Sequence, residues 1–380
     1  MEATVLGACG AVGREVSRGL VESGMFEAVT LADLQQSRLR PLAAELGGNV
    51  ATHNVRGSDV ESLRKAIRGA DLVANCTTYQ LGVPALRAAI AEKTNYIDLG
   101  GLYNTPKQLE MDSRAKRAGV RAVIGCGATP GLTNVLVCRA AGMLDEVRSV
   151  DIAFASHRDI APSPGLLDTL LDEFRPGVER FVWRDGGLQE VAPFDGAKRV
   201  RFSPPVGTQE VYFVPHSETH TLPKFLGNGV RSVAVRGTWR PEDMRTLRSL
   251  SELGLTSDRP IQVNGSKVRP LDVLRSVLLS NPPHLEEAPC AFFLEVEVEG
   301  EKDGKPATVQ QRTSHPMEWG SDATARMTAV PAVVAAGILA ENDGEPGVFA
   351  PEAAFEPKEF LSEVKKTGVR VSTSAPGPSR

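Results

Sequence analysis

Val5-Leu6-Gly7-Ala8-Cys9-Gly10-Ala11-Val12-Gly13 is the stretch that decides the fold of the first half of the chain. It begins as an apolar run typical of a short strand, and residues 14–23 follow with the spacing of an amphipathic helix. Gly7 permits a tight turn, Gly10 lets the backbone approach a pyrophosphate, and Gly13 lets the helix pack close to the strand. The stretch therefore predicts the phosphate-binding loop of a βαβ unit.

Asp33 extends this pattern to a whole dinucleotide. It lies 20 residues after Gly13, at the end of a second apolar run. An acid at this place binds the ribose hydroxyls and repels a 2′-phosphate, while the N–H groups of Ala11 and Val12 complete the phosphate site. The sequence predicts NAD as the cofactor and NADP as the less favoured one, with Arg38 close enough to leave NADP open.

The rest of the first half alternates helix with strand. Helical patterns over 60–67, 84–92 and 107–118 are separated by apolar runs over 71–75, 96–99 and 120–124. This order predicts an α/β fold, with an N-terminal Rossmann doubly wound parallel sheet. Ligands of such sheets bind at the carboxyl ends of the strands.

The second half has a different pattern. Short apolar runs are separated by Pro and Gly, and residues 293–299 alternate apolar with acidic side chains, as in an antiparallel sheet with one wet face. We expect a C-terminal α+β domain with a mainly antiparallel sheet. The predicted division is 1–127 for the dinucleotide-binding domain, completed by a helical segment over 321–370, and 128–320 for a substrate-binding and oligomerisation domain. An open sheet needs cover, which predicts a closed homo-oligomer.

Composition excludes several classes of function. Lys plus Arg number 43 against 47 for Asp plus Glu, so no basic surface for nucleic acid is expected. The most apolar stretch, 328–340, is shorter than the about 20 residues of a membrane span. The first residues carry no export signal, which leads us to expect a cytoplasmic protein. Five cysteines without a C-x-x-C pair predict neither disulfides nor a metal site.

Three further segments carry a family resemblance. Residues 75–79, 96–101 and 127–134 follow one another in an order that resembles the saccharopine dehydrogenase-like family, and 324–329 and 347–352 are similar to its late helix and C-terminal cap. The resemblance runs from residue 4 to about residue 372. Within the family the bacterial L-lysine 6-dehydrogenases look most similar, whereas residues 214–223 resemble the saccharopine reductase branch at least as much.

The resemblance implies hydride transfer at a carbon–nitrogen bond of a small amine or amino acid. The leading expectation is NAD-dependent oxidative deamination of L-lysine at the 6-amino group. Saccharopine- or carboxyspermidine-type reduction of an imine adduct with NAD(P)H is the alternative within enzymes, and a non-catalytic dinucleotide sensor is the alternative outside them. Amine oxidation needs the neutral amine, whose pKa is about 10.4 in a free lysine, so a base is useful.

Candidate site residues follow from their positions at strand ends and in polar loops. Catalytic roles are assigned to Asp98, Tyr79, His216 and Glu218. Besides the glycine loop and Asp33, contacts with the cofactor are assigned to Cys76, Thr77, Gly100, Pro130 and Gly131. Contacts with the substrate are assigned to Tyr79, Gly101, Thr133, Asn134, His157, Arg158 and Thr219. Pro130 and Gly131 open a helix whose free N–H groups are expected to bind the cofactor or a carboxylate.

Overall fold

A computed structural model describes residues 1–57, 59–100, 104–161, 163–227, 229–281, 289–342 and 344–377. The elements up to residue 141 are β1 (Glu2–Leu6), α1 (Ala11–Ser23), β2 (Ala28–Asp33), α2 (Gln36–Leu46), β3 (Val50–Asn54), α3 (Val60–Ile67), β4 (Leu72–Asn75), α4 (Gly82–Glu92), β5 (Asn95–Asp98), α5 (Thr105–Leu109), α6 (Asp112–Ala118), β6 (Arg121–Val123) and α7 (Leu132–Ala141). Strands thus alternate with helices as the sequence predicts, except that the helix predicted over 107–118 is divided into α5 and α6.

The remainder mixes hairpins with helices. Up to residue 280 the elements are β7 (Glu146–His157), α8 (Pro164–Phe174), β8 (Phe181–Arg184), β9 (Gly187–Glu190), β10 (Lys198–Arg201), β11 (Thr208–Phe213), α9 (Glu218–Leu226), β12 (Ser232–Trp239), α10 (Pro241–Glu252), β13 (Ile261–Val263), β14 (Ser266–Val268) and α11 (Pro270–Ser280). They are followed by β15 (Ala291–Lys302), β16 (Lys305–Ser314), α12 (Ala323–Glu341), β17 (Gly347–Phe349), α13 (Pro351–Ala354), α14 (Pro357–Lys366) and β18 (Arg370–Thr373).

The chain divides into two compact units. Unit 1 comprises Met1–Arg139, His220–Leu226 and Ala325–Val369, and unit 2 comprises Ala140–Thr219, Gly227–Thr324 and Arg370–Arg380. These boundaries differ from the predicted ones at 127 and 321. Most of α7 belongs to unit 1, and its apolar side chains, such as Leu132 and Val135, are fully buried. The segment 220–226, which the sequence placed in the second domain, also belongs to unit 1.

Unit 1 contains a seven-stranded sheet in the order β17-β6-β5-β4-β1-β2-β3, and every pairing in it is parallel. The predicted Rossmann-like parallel sheet is therefore confirmed. The strand order reverses between β1 and β4, the switch point at which open α/β sheets bind their ligands. Residues of the central strands, including Leu6, Val73 and Ile97, are buried because helices cover the sheet.

Unit 2 contains a nine-stranded sheet whose main path is β10-β11-β12-β7-β15-β16-β18. β12 and β7 are parallel, and the other pairings are antiparallel. The predicted, mainly antiparallel second domain is confirmed. Its core includes Phe293 on β15 and Ala155 on β7, which lie directly opposite each other and are both fully buried.

Among the residues that the structure describes, one helical segment, Met317–Glu341, is long and apolar enough to cross a membrane by length and composition alone. However, 67% of its most apolar window is buried inside the protein. The core helix of a globular protein passes the same test, and a single segment of this kind is weak evidence for a span. Within α12, Met327 and Ala335 are fully buried, as expected of a core helix.

Candidate active site

The glycine loop makes its turn through backbone contacts that only glycine permits. Gly7 has φ +76° and donates its N–H to the Ala32 carbonyl at 2.8 Å. Gly10 donates its N–H to the Gly7 carbonyl at 3.1 Å. A Cβ atom on Gly13 would lie 2.1 Å from that same carbonyl oxygen. The loop and the first turn of α1 are therefore packed as closely as the sequence predicts.

The start of α1 offers backbone donors. The first intrahelical bond runs from the Arg14 N–H to the Gly10 carbonyl at 3.0 Å. The N–H groups of Ala11, Val12 and Gly13 precede it, so they have no acceptor within the helix. Together with the positive end of the helix dipole they form a site for an anion, and the residues present fit a dinucleotide pyrophosphate.

Asp33 has a structural task besides the predicted one. Its Oδ2 accepts the Cys9 N–H and its Oδ1 accepts the Gln35 N–H, both at 2.9 Å. A carboxylate has about four acceptor sites, so each oxygen can still accept one ribose hydroxyl. The Arg38 guanidinium donates to the Gln35 side chain at 3.1 Å and does not pair with Asp33 in these contacts. Asp33 thus ties the glycine loop to the end of β2.

Replacing Asp33 with serine should shrink the preference for NAD over NADP by about 10- to 100-fold, because charge-assisted hydrogen bonds contribute about 1.5–3 kcal/mol. Dissociation constants of both dinucleotides, measured by fluorescence titration, test this. Asp71→Ser is the matched control, since Asp71 also accepts a backbone N–H, that of Glu2, but lies before β4 rather than at the end of a strand. Equal binding of NAD and NADP by the unmodified protein would refute the assignment.

A polar recess lies at the carboxyl ends of β4 and β5 in unit 1. The space between its lining atoms is about 200 Å³, which includes the part open to solvent, so it is a narrow surface recess rather than an enclosed cavity. Its lining is formed by Asn75, Thr77, Thr78, Tyr79, Gly82, Asp98, Gly100, Asn104 and Gln108. Four of the predicted site residues, Thr77, Tyr79, Asp98 and Gly100, are therefore brought together here.

Asp98 is buried and accepts four hydrogen bonds. Oδ1 receives the N–H groups of Gly100 at 2.9 Å and Gly125 at 2.8 Å. Oδ2 receives the Tyr96 hydroxyl at 2.9 Å and the Gln108 amide at 2.6 Å. These donors occupy the acceptor sites of the carboxylate. The predicted role of Asp98 as the proton-accepting base is revised, because the structure makes it an anchor for the turns after β5 and β6.

The turn after β4 presents Tyr79 and Thr77 to the recess. The Thr77 hydroxyl donates to Asn75 Oδ1 at 2.6 Å, and the Asn104 amide donates to the Tyr79 carbonyl. Cys76 belongs to the same turn, and burial raises the pKa of its thiol far above the usual range. Cys76 is therefore a neutral side chain, and its proposed contact with the cofactor would be one of packing.

The helix start at Pro130 does not offer the free donors that the sequence predicts. The N–H groups of Gly131, Leu132 and Thr133 donate to Asn134 Oδ1 and to two carbonyls of the same turn, at 2.8, 2.8 and 3.1 Å. The predicted binding of an anion by these N–H groups is corrected, because the turn itself uses them. Pro130 still lies beside the recess, since a Cβ on Gly100 would be 2.6 Å from its Cγ.

Asn134 anchors this turn to the C-terminal cap of unit 1. Its amide donates to Glu352 Oε2 at 2.8 Å and contacts the Thr221 hydroxyl at 3.4 Å. Asn134 and Thr133 are fully buried, and their assigned contact with the substrate remains a prediction from the sequence. Glu352 was not identified from the sequence, because nothing in its local pattern distinguishes it from a surface acid.

His216 in unit 2 lies between two buried carboxylates. Its Nδ1 is 3.6 Å from Glu218 Oε2 and its Nε2 is 3.9 Å from Glu173 Oε1. Burial alone would lower the pKa of the imidazole, but the two carboxylates outweigh burial and raise that pKa to about 9. The two carboxylates thus favour the protonated imidazole at pH 7, and the assigned role of His216 as a base remains a prediction from the sequence.

The surroundings of this cluster are fixed by further contacts. The Trp239 indole donates to Glu173 Oε2 at 2.9 Å, and the Phe154 ring centre lies 5.5 Å from that of His216. The Thr219 hydroxyl donates to the His216 carbonyl at 2.9 Å, so Thr219 shapes the loop that carries the imidazole. Glu173 was missed from the sequence, since it is distant from His216 along the chain.

His157 and Arg158 follow β7, as predicted, but Arg158 is used by its own loop. Its Nη1 and Nη2 donate to the carbonyls of Asp159 and Leu166 at 2.7 and 2.9 Å, and its guanidinium lies 4.2 Å from the Trp239 ring centre. The expected contact of Arg158 with the substrate is thus revised to ordering of the loop. Burial, followed by a nearby positive charge, lowers the pKa of His157 to about 4, so this imidazole is neutral at pH 7.

Gly101 lies outside the residues that the structure describes. For metals, no group of three His, Cys, Asp or Glu side chains that could hold an ion is found among the described residues.

Comparison with known protein families identifies the family of this chain. The sequence model of the Saccharopine dehydrogenase NADP binding domain matches residues 3–123, and that of the Saccharopine dehydrogenase C-terminal domain matches residues 127–369. The chain belongs to the saccharopine dehydrogenase family. It is therefore related to oxidoreductases over nearly its whole length, and the family resemblance seen in the sequence is confirmed.

Two relatives match over most of their length. Carboxyaminopropylagmatine dehydrogenase of Synechocystis sp. is 24% identical over 394 residues, covering 97% of this chain and 96% of the relative. Carboxynorspermidine synthase of Vibrio cholerae is 26% identical over 350 residues, covering 83% and 80%. Neither name is that of a lysine 6-dehydrogenase, so the finer resemblance to that group is not supported by these relatives.

Solved structures show the same fold. Saccharopine dehydrogenase (L-Glu forming) of Saccharomyces cerevisiae superposes with a TM-score of 0.71 at 17% identity, covering 98% of this chain and all of that one. Homospermidine synthase of Legionella pneumophila in complex with NAD gives a TM-score of 0.68 at 15% identity, covering 98% and 91%. At these identities the likeness establishes the fold and no more.

Proposed function

We propose that this protein is an NAD(H)-dependent oxidoreductase that reduces the imine formed between an aldehyde and an amine, giving a secondary amine that carries a carboxylate. The observation that carries the proposal is the dinucleotide loop with Asp33, in a chain that matches a carboxyaminopropylagmatine dehydrogenase nearly end to end. The names of both relatives describe carboxylated polyamine-type compounds. This reaction is the imine-reducing alternative that the sequence left open.

The chemistry requires a hydride at the imine carbon and a proton at its nitrogen, and a bound reduced nicotinamide supplies the hydride. The chain supplies the positioning groups. The N–H groups at the start of α1 would hold the pyrophosphate, and Asp33 would hold the ribose hydroxyls. Within unit 2, His216 lies between Glu173 and Glu218, and an imidazole that these carboxylates keep protonated is suited to donating a proton.

The cofactor choice rests on Asp33. A carboxylate at the end of β2 favours ribose hydroxyls over a 2′-phosphate. The matching family model is described as NADP binding, whereas the Legionella pneumophila structure contains NAD. We propose NAD for this chain because Asp33 is held in place by two backbone donors and no described side-chain contact neutralises it with a cation.

Oxidative deamination of L-lysine at the 6-amino group is the second candidate. This reaction also transfers a hydride between the dinucleotide and the carbon of a carbon–nitrogen bond. Its support is the resemblance of the sequence motifs. The third candidate is a dinucleotide sensor without catalysis. A homo-oligomeric assembly and a cytoplasmic location are further proposals drawn from the sequence.

A single assay separates the three candidates. Purified protein is mixed with NADH, an amino-acid semialdehyde and an amine, with agmatine and short diamines as the amines, and the absorbance of the reduced nicotinamide is followed. Consumption of NADH that needs both the aldehyde and the amine supports the proposal. Formation of NADH from L-lysine and NAD, without reaction of the aldehyde–amine pairs, selects the lysine reaction instead. Binding of NADH without any turnover selects the sensor.

A further inference from the structure

Tyr96 carries a fully buried hydroxyl beneath the polar recess. It lies on β5 with no exposed surface and does not line the recess itself. The Asn75 amide donates to this hydroxyl at 3.0 Å, and the hydroxyl donates to Asp98 Oδ2 at 2.9 Å. It thus joins two residues that do form the recess wall.

The direction of the hydrogen bonds at the Tyr96 hydroxyl is fixed. Burial, followed by the charge of Asp98, raises the pKa of Tyr96 well above its usual value. The phenol therefore keeps its proton, and it has one hydrogen to give. With the Asn75 amide occupying an acceptor site, that hydrogen is directed to the Asp98 carboxylate. The carbonyl of Gly82, at 3.3 Å, is a more distant second acceptor.

The two residues joined by the hydroxyl each hold a turn of the recess. Asn75 Oδ1 accepts the N–H and the hydroxyl of Thr77 at 3.2 and 2.6 Å, which fixes the turn after β4. Asp98 Oδ1 accepts the N–H groups of Gly100 and Gly125, which fixes the turns after β5 and β6. Three turns at the carboxyl edge of the sheet therefore depend on one buried network.

We propose that Tyr96 is a positioning residue, whose hydroxyl sets the shape of the polar recess that receives the reacting groups. The proposal rests on the oxidoreductase function proposed above. Because its side chain is fully buried, Tyr96 acts through Asn75 and Asp98. The adenosine half of the dinucleotide is assigned to the glycine loop and Asp33, which the hydroxyl does not contact. Its loss should therefore affect turnover more than dinucleotide binding.

The test is Tyr96→Phe, which removes only the hydroxyl. A misplacement of about 1 Å can lower a rate about 100-fold, so kcat is expected to fall by about 10- to 100-fold. The dissociation constant for NADH should change by less than about threefold, which corresponds to about 0.7 kcal/mol. Tyr212→Phe is the matched control, because the Tyr212 hydroxyl also donates to a carboxylate, that of Glu210 in unit 2. It should leave both quantities unchanged.

A second variant tests whether the effect passes through Asp98. Gln108 donates to the same Oδ2 atom as Tyr96, so Gln108→Leu removes the neighbouring donor. If both residues act by holding this carboxylate, the double variant loses less activity than the product of the two single losses. A double loss equal to that product would contradict positioning through Asp98.

The outcomes separate this proposal from the proposed function. A merely structural role for Tyr96 would lower the unfolding temperature but leave kcat per folded molecule equal to that of Tyr212→Phe, which would overturn positioning. If the unmodified protein turns over none of the substrates, the proposed function fails, and the emission of bound NADH becomes the readout. A change of that emission in Tyr96→Phe but not in Tyr212→Phe then supports a positioning role, and identical emission overturns it.

Discussion

Replacing Gly13 with alanine is expected to abolish tight dinucleotide binding. The new Cβ would be placed 2.1 Å from the Gly7 carbonyl oxygen, and 2.9 Å from the carbonyl carbon. Both atoms are backbone, so no side chain can rotate out of the way, and α1 must move away from the loop. The N–H groups at its start then leave the position at which a pyrophosphate would be held.

The expected size follows from the lost contacts. A charge-assisted hydrogen bond contributes about 1.5–3 kcal/mol, so loss of one to two of them lowers affinity for NADH by about 100-fold. Overpacking at this place should also reduce the free energy of unfolding by about 1–3 kcal/mol. Isothermal titration with NADH and urea unfolding measure the two effects separately.

Gly165→Ala provides the matched control. Gly165 lies in the first turn of α8, where a Cβ would meet no atom within 4 Å, and its φ is not positive. Alanine there should leave NADH binding unchanged, and its better helix propensity should not reduce stability. Wild-type affinity for NADH in Gly13→Ala would show that the glycine loop is not the dinucleotide site.

The ease with which this loop is found in the sequence has a physical reason. Its signals are local: three glycines at fixed spacing, a short apolar run before them and an acid at the end of the next strand. The Asn264-Gly265 turn between β13 and β14 is another local signal, and both of its residues have positive φ. Such features depend on the chain over a few residues, so the sequence alone predicts them.

The pairing within unit 2 depends on long-range contacts instead. β7 pairs in parallel with β12 and antiparallel with β15, which lie far along the chain. Alternation of apolar and polar residues predicts that these strands have one wet face, but it does not choose their neighbours. The fold class of this unit was thus predictable, while its strand order was not.

The candidate site shows the same limit. Thr77, Tyr79 and Asp98 were assigned to the site because they lie at or after strand ends, where parallel sheets bind their ligands. Gln108 comes from a helix, and its arrival at the Asp98 carboxylate depends on how that helix packs. Without this partner and the backbone donors, the sequence could not show that Asp98 is an anchor rather than a base.

His216 gives the second large prediction. Replacing it with glutamine should lower the free energy of unfolding at pH 7 by about 3–5 kcal/mol, because two buried carboxylates lose the cation between them. Glu173 is 3% exposed and Glu218 is fully buried, so water does little to screen their repulsion. Urea unfolding followed by tryptophan fluorescence measures the loss.

The unmodified protein should also lose stability as the pH rises. The pKa of His216 is 6.5 in an unperturbed chain and about 9 in the folded protein. Because the folded state binds this proton more tightly than the unfolded state, the raised pKa adds to the free energy of unfolding. This addition is complete below pH 6.5 and is lost as the pH rises past 9. It is on the order of 3 kcal/mol at pH 7 and falls to about 1 kcal/mol at pH 8.5.

The pH interval is chosen so that other groups interfere little. Burial lowers the pKa of His157 to about 4 and raises that of Asp243 to about 6, so both titrate mainly below pH 7. Burial also raises the pKa of the thiols of Cys9, Cys76, Cys126 and Cys138. These thiols therefore ionise in the unfolded chain first, and each adds a smaller loss of stability as the pH approaches 9. Between pH 7 and 8.5 the imidazole of His216 is therefore the largest single contribution.

Glu218→Gln is expected to shift the pH dependence of the stability to lower pH. With one carboxylate removed, the pKa of His216 must fall, and the loss of stability should occur at lower pH than in the unmodified protein. His53→Gln is the control, since His53 lies on β3 of unit 1 and should leave the wild-type curve unchanged. A stability that stays constant from pH 7 to 8.5 in the unmodified protein would mean that His216 is neutral between its carboxylates, and it would then be available as the base that the sequence suggested.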